Sequence, residues 1–195
     1  RYLKNIIIGE AHIVVDWGSQ FRVDYQCLES WRRLLLQSNP SIRTFLLSAT
    51  YEKRSIDILK NLFSQGEKWI EVRCDALRHE PHYILINAKS YTDKKKKMLE
   101  LVRKLPHPMI IYVARPEDAE KTKGALKDAG LNNVETFTGL TNGKRREKLI
   151  QGWIDDKFEI MVATSAFGVG VDKSDVRTVL HLYIPPNPNA YYQEL

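Results

Sequence analysis

Short apolar stretches that alternate with amphipathic segments restrict the fold of this chain more than any other feature. Between these stretches, Leu28, Trp31 and Leu35 share one helical face, and so do Leu149, Ile150, Trp153 and Ile154. The apolar stretches are rich in β-branched residues and predict strands at 5–8, 43–47, 69–73, 83–87, 109–113, 159–163 and 177–183. The alternation indicates βαβ units and therefore an α/β fold with mostly parallel sheets.

The segment from Asp75 to His82 interrupts this alternation. It contains two histidines, one proline and several charged residues, without an apolar period. Such a composition is typical of a linker. We therefore predict two domains, residues 1–77 and residues 78–195. Within the second, Pro116 followed by Glu117 and Asp118 marks a helix start, because proline and acidic residues both favour the first helical turn.

The composition limits the functions that the chain can have. Its formal net charge of +6 is compatible with a nucleic-acid partner but does not establish one. The run Lys94 to Lys97 follows Asp93, and we interpret it as a solvated helix face in preference to a phosphate-binding patch.

Cys27 and Cys74 have neither disulfide nor zinc spacing and are predicted to be buried thiols. No apolar run approaches the roughly 20 residues of a membrane span, so we expect an intracellular location without membrane contact.

The first candidate site is a strand that ends in acidic and histidine residues. Ile6-Ile7-Ile8 is followed by Gly9-Glu10-Ala11-His12, at the place where parallel α/β sheets carry catalytic residues. A carboxylate there can orient an attacking water beside a nucleotide, and this is the role that we predict for Glu10. The alternative is an exposed glutamate in a turn.

The segment that follows, residues 16–25, contains three aromatic residues, an arginine and a glycine. Aromatic rings such as those of Trp17 and Phe21 can stack on unpaired bases, and Arg22 can pair with phosphate. A packed aromatic turn is the alternative interpretation. The pattern favours contact with single-stranded nucleic acid.

These motifs resemble those of RecQ-like superfamily 2 DNA helicases. Residues 9–25 resemble motif II and its aromatic-rich loop, which usually read Asp-Glu-Ala-His, Gln-Trp-Gly and Phe-Arg-x-Asp-Tyr. The other matches are Leu47-Ser48-Ala49-Thr50 for motif III, Ile110-Ile111-Tyr112 for motif IV, residues 160–173 for motif V and Tyr191-Tyr192-Gln193-Glu194 for the start of motif VI. Phe137-Thr138-Gly139-Leu140 departs modestly from the usual His-Ala-Gly-Leu. The resemblance covers nearly the whole chain and implies tandem RecA-like lobes of the P-loop NTPase type, the first of them truncated.

The resemblance implies an ATP-driven motor that unwinds duplex DNA by moving 3′ to 5′ along one strand. The implied cofactors are ATP and Mg²⁺, and the implied partners are single-stranded and duplex DNA, with the oligomeric state left open. The implied roles are catalysis by Glu10 and His12, coupling by Ser48 and Thr50, nucleotide binding by Gly9, Glu10, Gly170, Asp172 and Gln193, an indirect Mg²⁺ contact by Glu10, and DNA binding by Trp17, Phe21, Arg22, Thr164, Phe167 and Gly168.

Two departures from the family's pattern change the expectation. The chain has no Gly-x-x-x-x-Gly-Lys-Ser/Thr loop and stops before the motif VI arginines, so we expect no ATP turnover by the fragment itself. Gly9 stands where the family has a metal-holding aspartate. A natural change, a deliberate inactivating substitution and a sequence error all remain open.

Two rivals to the motor therefore stand. The first is a catalytically inactive pseudo-helicase module that binds DNA for a partner, which Gly9 favours. The second is an RNA-dependent ATPase of the DEAD/DEAH type, which the aromatic loop disfavours. A truncated first lobe also predicts exposed apolar edge surface and a tendency to aggregate.

Overall fold

The computed structural model describes residues 2–12, 14, 23–64, 68–74, 79–168, 171 and 173–195. The chain divides into two compact units, Arg1–Pro81 and His82–Leu195, here called the first and second units. Each contains a parallel sheet, so the predicted α/β class is confirmed. The domain boundary predicted between residues 77 and 78 stays a prediction.

Among its described residues, the first unit contains a two-stranded parallel sheet and two long helices. They are β1 (Asn5–Ile8), α1 (Val23–Ser38), β2 (Arg43–Leu46) and α2 (Lys53–Phe63). Alternate side chains of a strand point to opposite faces. Ile6 and Ile8 therefore pack with Leu59 and Phe63 in the core, whereas Ile7 on the other face is 66% exposed.

In the described part of the second unit, four parallel strands have the order β4-β5-β3-β6. Its elements are α3 (Tyr91–Lys104), β3 (Met109–Tyr112), α4 (Pro116–Asp128), β4 (Val134–Phe137), α5 (Gly143–Ile154), β5 (Ile160–Ala163), β6 (Thr178–His181) and α6 (Pro188–Gln193). The helix start predicted at Pro116 is confirmed.

Helices cover both faces of this four-stranded sheet. Met109 and Ile111 belong to one apolar core, which α3 and α4 complete with Val102 and Leu126. Ile110 and Tyr112 belong to a second core on the opposite face, which α5 completes with Leu149 and Trp153. Parallel strands buried on both faces carry continuous apolar runs, and this explains why β3 and β5 were predictable from sequence.

Three secondary-structure predictions were wrong. Segments 69–73 and 83–87 are not strands, because no described strand pairs with them; Val72 is 94% exposed and Leu85 89%. Their β-branched content favours an extended chain, but a strand also needs a hydrogen-bonded neighbour. Strand β4 was missed because Glu135 and Thr136 interrupt its apolar pattern.

Two predictions about surface residues had different outcomes. Cys27 and Cys74 are exposed rather than buried, since Cys27 lies on an outward position of α1 and Cys74 lies in an exposed segment. The solvated lysine face is confirmed for Lys94 to Lys96, which are exposed on α3. Lys97 is partly covered and donates a hydrogen bond to the Asn87 carbonyl at 2.6 Å.

Candidate functional site

The turn after β1 brings together the four residues predicted to catalyse and to couple. Backbone hydrogen bonds from Leu47 to Ile8 (2.8 Å) and from Ala11 to Leu47 (2.9 Å) continue the strand pairing beyond β1 and β2. As a result, the side chain of His12 meets that of Ser48: Nδ1 lies 2.7 Å from Oγ. The two motifs, far apart in sequence, therefore form one cluster at the carboxyl end of the sheet.

The contacts of Ser48 and Glu10 favour one tautomer of the His12 ring. The Ser48 hydroxyl donates to the Thr50 carbonyl at 3.1 Å, and its oxygen accepts from the Thr50 amide at 3.1 Å. A serine hydroxyl has only one hydrogen to donate. Glu10 Oε2 lies 3.2 Å from the same Nδ1, and an ionised carboxylate only accepts, so a hydrogen on His12 Nδ1 suits both neighbours.

Glu10 combines an unusual backbone with an accessible carboxylate. Its φ of 51° lies in the left-handed region that non-glycine residues rarely adopt, and such residues are concentrated at functional sites. Its side chain is 55% exposed and borders a cavity of about 380 Å³. Burial, and next the charge of Glu10, raise the pKa of Tyr51 in the wall of the same cavity. The carboxylate is thus open to a ligand on one side and linked to His12 on the other.

Gly9 also borders this cavity. Glycine offers no carboxylate, and among the residues that the structure describes no group of three or more His, Cys, Asp or Glu side chains could hold a metal ion. The residues of the turn therefore do not fit a directly bound Mg²⁺. A Cβ added at Gly9 would meet nothing within 4 Å, so the turn has room for an aspartate.

In the second unit, the predicted DNA-binding residues lie at the carboxyl end of β5. The Thr164 amide donates to the Phe137 carbonyl at 3.2 Å, and the Phe167 amide donates to the Thr164 carbonyl at 3.0 Å. The Phe167 ring is buried against Phe137 and Trp153. It cannot stack on a base in this position, which leaves the backbone of the turn for contact with a phosphate.

Gly168 follows in a conformation that only glycine adopts readily. Its φ is +109°, and an added Cβ would lie 3.2 Å from the Tyr112 hydroxyl oxygen. The Gln193 carbonyl oxygen would be 3.9 Å from the same point. Gln193, predicted to bind nucleotide, and Gly168, predicted to bind DNA, are therefore neighbours within one unit.

The remaining predicted site residues lie outside the described part of the chain: Trp17, Phe21, Arg22, Gly170 and Asp172. The structure adds residues that sequence reasoning did not select, namely Tyr51 and Arg73 beside Glu10 and a buried cluster of Tyr112, His181, Tyr183 and Glu194. Glu194 had one signal in the sequence, because it lies beside Gln193 in the motif VI match.

Residues 93–195 match the family described as the helicase conserved C-terminal domain. The chain belongs to this family.

Among the described helices of the chain, none combines the length and the apolar character needed to cross a membrane.

Relatives of this helicase-family chain include three helicases. A RecQ-like DNA helicase of Caenorhabditis elegans is 34% identical over 98% of this chain and 19% of that protein. The ATP-dependent DNA helicase RecQ of Bacillus subtilis is 32% identical over 97% of this chain and 31% of that protein. The ATP-dependent helicase SGS1 of Saccharomyces cerevisiae is 29% identical over 98% and 13%. The predicted resemblance to RecQ-like helicases is confirmed, and the chain spans only about an eighth to a third of these proteins.

Solved structures show the same fold at lower identity. Dbp5 of S. cerevisiae bound to RNA and ADP BeF3 has a TM-score of 0.75 at 21% identity, and the similarity covers 98% of this chain and 49% of that one. A DEAD box protein from Methanococcus jannaschii has a TM-score of 0.53 at 21% identity, covering 97% and 48%. These likenesses support the predicted RecA-like architecture of the helicase fold.

Proposed function

We propose that this chain is part of an ATP-dependent DNA helicase of the RecQ-like type, which moves 3′ to 5′ along one strand and unwinds duplex DNA inside the cell. The observation that carries the proposal is the contact between His12 and Ser48, 2.7 Å from Nδ1 to Oγ. It joins a carboxylate-bearing turn to a second strand end, which is what a motor needs to pass on the state of its nucleotide. The relatives described as an ATP-dependent DNA helicase and as an ATP-dependent helicase supply the reaction class.

In this proposal Glu10 orients the attacking water, and His12 transmits the position of the Glu10 side chain to Ser48. A carboxylate within hydrogen-bond reach of a water can take its proton. One hydrogen on His12 Nδ1 faces two acceptors, Glu10 and Ser48. When Glu10 turns toward a ligand in its cavity, that hydrogen is left to Ser48 alone, and the Ser48–Thr50 turn tightens. ATP would be held by Gly9, Glu10, Gly170, Asp172 and Gln193, with Mg²⁺ contacted indirectly by Glu10.

DNA would contact the second unit through Thr164 and the Phe167–Gly168 turn, and would contact the aromatic loop through Trp17, Phe21 and Arg22. A turn with a glycine at φ +109° lets a phosphate approach the backbone closely. Backbone contacts of this kind hold a strand without reading its sequence. This suits a motor that must move along any DNA.

A DNA-binding clamp without catalysis is the second candidate, and Gly9 is the observation that favours it. The turn has no aspartate, although there is room for one. Loss of a metal-holding carboxylate weakens charge stabilisation in phosphoryl transfer. The clamp and the motor share every predicted DNA contact and differ only in whether ATP is hydrolysed.

Replacement of the Glu10 carboxylate tests the motor. In the full-length protein that carries this chain, we expect Glu10→Gln to lower DNA-stimulated ATP hydrolysis by about 10²-fold or more, the usual range for loss of a general base. The melting temperature should stay the same, because the side chain is largely exposed. Glu80→Gln, at another exposed glutamate, is the matched control. If Glu10→Gln and Glu80→Gln hydrolysed ATP at the same rate, Glu10 would have no role in the catalytic step.

A further inference from the structure

A buried carboxylate, Glu194, joins the end of β6 to the end of α6 in the second unit. Its Oε1 accepts a hydrogen bond from the Tyr183 hydroxyl at 2.5 Å, and its Oε2 lies 3.0 Å from His181 Nε2. Oε2 and Nε2 are both buried and in close contact, although their orientation does not satisfy a hydrogen bond. Glu194 is only 4% exposed. A buried carboxylate is costly unless neighbours compensate for its lost hydration, so these contacts determine where it lies.

The same cluster continues to the turn after β5. His181 pairs with Tyr112 across the parallel strands β6 and β3, and their rings stack with centroids 5.4 Å apart and planes at 20°. The Tyr112 hydroxyl donates to the Phe167 carbonyl at 3.3 Å. The same hydroxyl oxygen also occupies the space beside Gly168, where a Cβ would lie 3.2 Å away.

The two tyrosine hydroxyls keep their hydrogens throughout. Burial raises the pKa of Tyr112 above its ordinary value, and the charge of Glu194 adds to the effect. Burial also raises the pKa of Tyr183, together with its hydrogen bond to Glu194. Both hydroxyls therefore remain donors, and the route from Glu194 to the turn does not depend on their titration.

We propose that Glu194 is a positioning residue that fixes the Phe167–Gly168 turn through His181 and Tyr112. A change at the carboxylate alters its 3.0 Å contact with His181 Nε2, the stacked Tyr112 ring shifts with His181, and the hydroxyl that holds the Phe167 carbonyl moves. Gln193, next to Glu194, lies beside the same turn, because its carbonyl oxygen would be 3.9 Å from a Cβ added at Gly168. A displacement of the end of α6 is thereby transmitted to the turn. The binding of DNA by this turn rests on the proposed function. The positioning of the turn by Glu194 does not rest on it.

Hydrogen exchange of the full chain tests the positioning, with mass spectrometry resolving the Phe167–Gly168 segment. We expect Glu194→Gln to raise amide exchange in this turn roughly tenfold, as for a locally loosened segment, while β5 and β3 keep their protection. Glu159→Gln is the matched control, because Glu159 also lies near a histidine, 3.6 Å from His107, but is exposed and precedes β5. The turn should exchange in this control as in the parent chain.

Two further variants keep the proposal open to refutation if Glu194→Gln does not fold. Tyr183→Phe removes one hydrogen bond to Glu194, and Tyr112→Phe removes the hydroxyl that holds Phe167; each should raise exchange in the same turn. Unchanged exchange in the folded Glu194→Gln or, failing that, in Tyr183→Phe would overturn the proposal.

Fluorescence anisotropy with labelled single-stranded DNA separates the positioning from the proposed function. A roughly tenfold loss of affinity in Glu194→Gln, with a looser turn, supports both; a misplaced contact can cost that much or more. If the parent chain binds no DNA while the turn still loosens, the positioning stands and the DNA contact fails.

Discussion

The first and second units have the same layout of parallel strands and helices, but their sheets are covered differently. In the second unit, apolar cores lie on both faces of the four-stranded sheet. In the first unit, one face of the two-stranded sheet carries the core, while Ile7 and its register partner Phe45 on the other face are exposed. The second unit can therefore bury a charged cluster around Glu194, whereas the first carries its polar cluster on a turn open to a cavity. The second unit therefore has the more extensive core, and the first unit has the more accessible polar cluster.

The largest effect that this comparison predicts is in the core of the second unit. Trp153 is fully buried, and its neighbour Ile154 is 45% exposed on the same helix. We expect Trp153→Ala to lower the free energy of unfolding of the second unit by about 3–5 kcal/mol, as for other large aromatic truncations. Ile154→Ala should stay within about 1 kcal/mol. Urea unfolding followed by hydrogen exchange measures both, and similar losses in the two variants would contradict the two-sided core.

A smaller effect is expected in the first unit, where adjacent residues of β1 face opposite ways. Ile6→Thr places a hydroxyl in the core and should cost about 1–3 kcal/mol. Ile7→Thr should change stability by about 0.5 kcal/mol or less and reduce self-association, because it makes an exposed apolar face polar. Light scattering and urea unfolding measure the two outcomes. If Ile6→Thr reduced self-association more than Ile7→Thr, the exposed apolar face would not be the one that carries Ile7.

The smallest expected effect is the loss of stability of the second unit at acidic pH. In the second unit, hydrogen bonds donated to the carboxylates are the first cause that holds several carboxyl pKa values below their usual range, at Asp93, Glu100, Asp118, Asp155 and Asp175. A lowered folded-state pKa adds stability above the unfolded value of about 4, and this stability is lost as pH falls through the folded value. Asp118→Asn removes the carboxylate that Arg115 holds.

We therefore expect the second unit of Asp118→Asn to lose less stability than the parent between about pH 5 and pH 3, the range around the ordinary Asp pKa. Because these groups are exposed, the difference should be small. Hydrogen exchange at the two pH values measures it. An acid-induced loss of the same size in both chains would show that the Arg115–Asp118 pair contributes nothing.

The sequence predicted best where one physical effect dominated. Strands β3 and β5 are buried on both faces, so their continuous apolar runs were sufficient evidence. Segments 69–73 and 83–87 have a similar composition but no described partner strand, and composition cannot predict pairing. Strand β4 was missed for the opposite reason, since it has partners but carries Glu135 and Thr136.

The candidate sites show the same contrast. Glu10, His12, Ser48 and Thr50 were grouped through family motifs, and the structure brings them into one cluster. The cluster around Glu194 was not predicted, because Tyr112 and His181 become neighbours only through the register of β3 and β6. Phe167 was predicted to bind DNA as part of the motif V match, and the pairing of β4 with β5 buries its ring against Phe137.

The most direct test of the proposed motor is ATP hydrolysis by the full-length protein, with Mg²⁺ and single-stranded DNA, comparing Gly9 with Gly9→Asp. A Cβ at residue 9 meets no other atom within 4 Å, so the variant adds a carboxylate where there is open space. The account predicts DNA-stimulated hydrolysis by the parent, with another group supplying the metal contact, and hydrolysis by the variant as well. Hydrolysis by Gly9→Asp alone would contradict it and leave a helicase fold that binds DNA without turning over ATP.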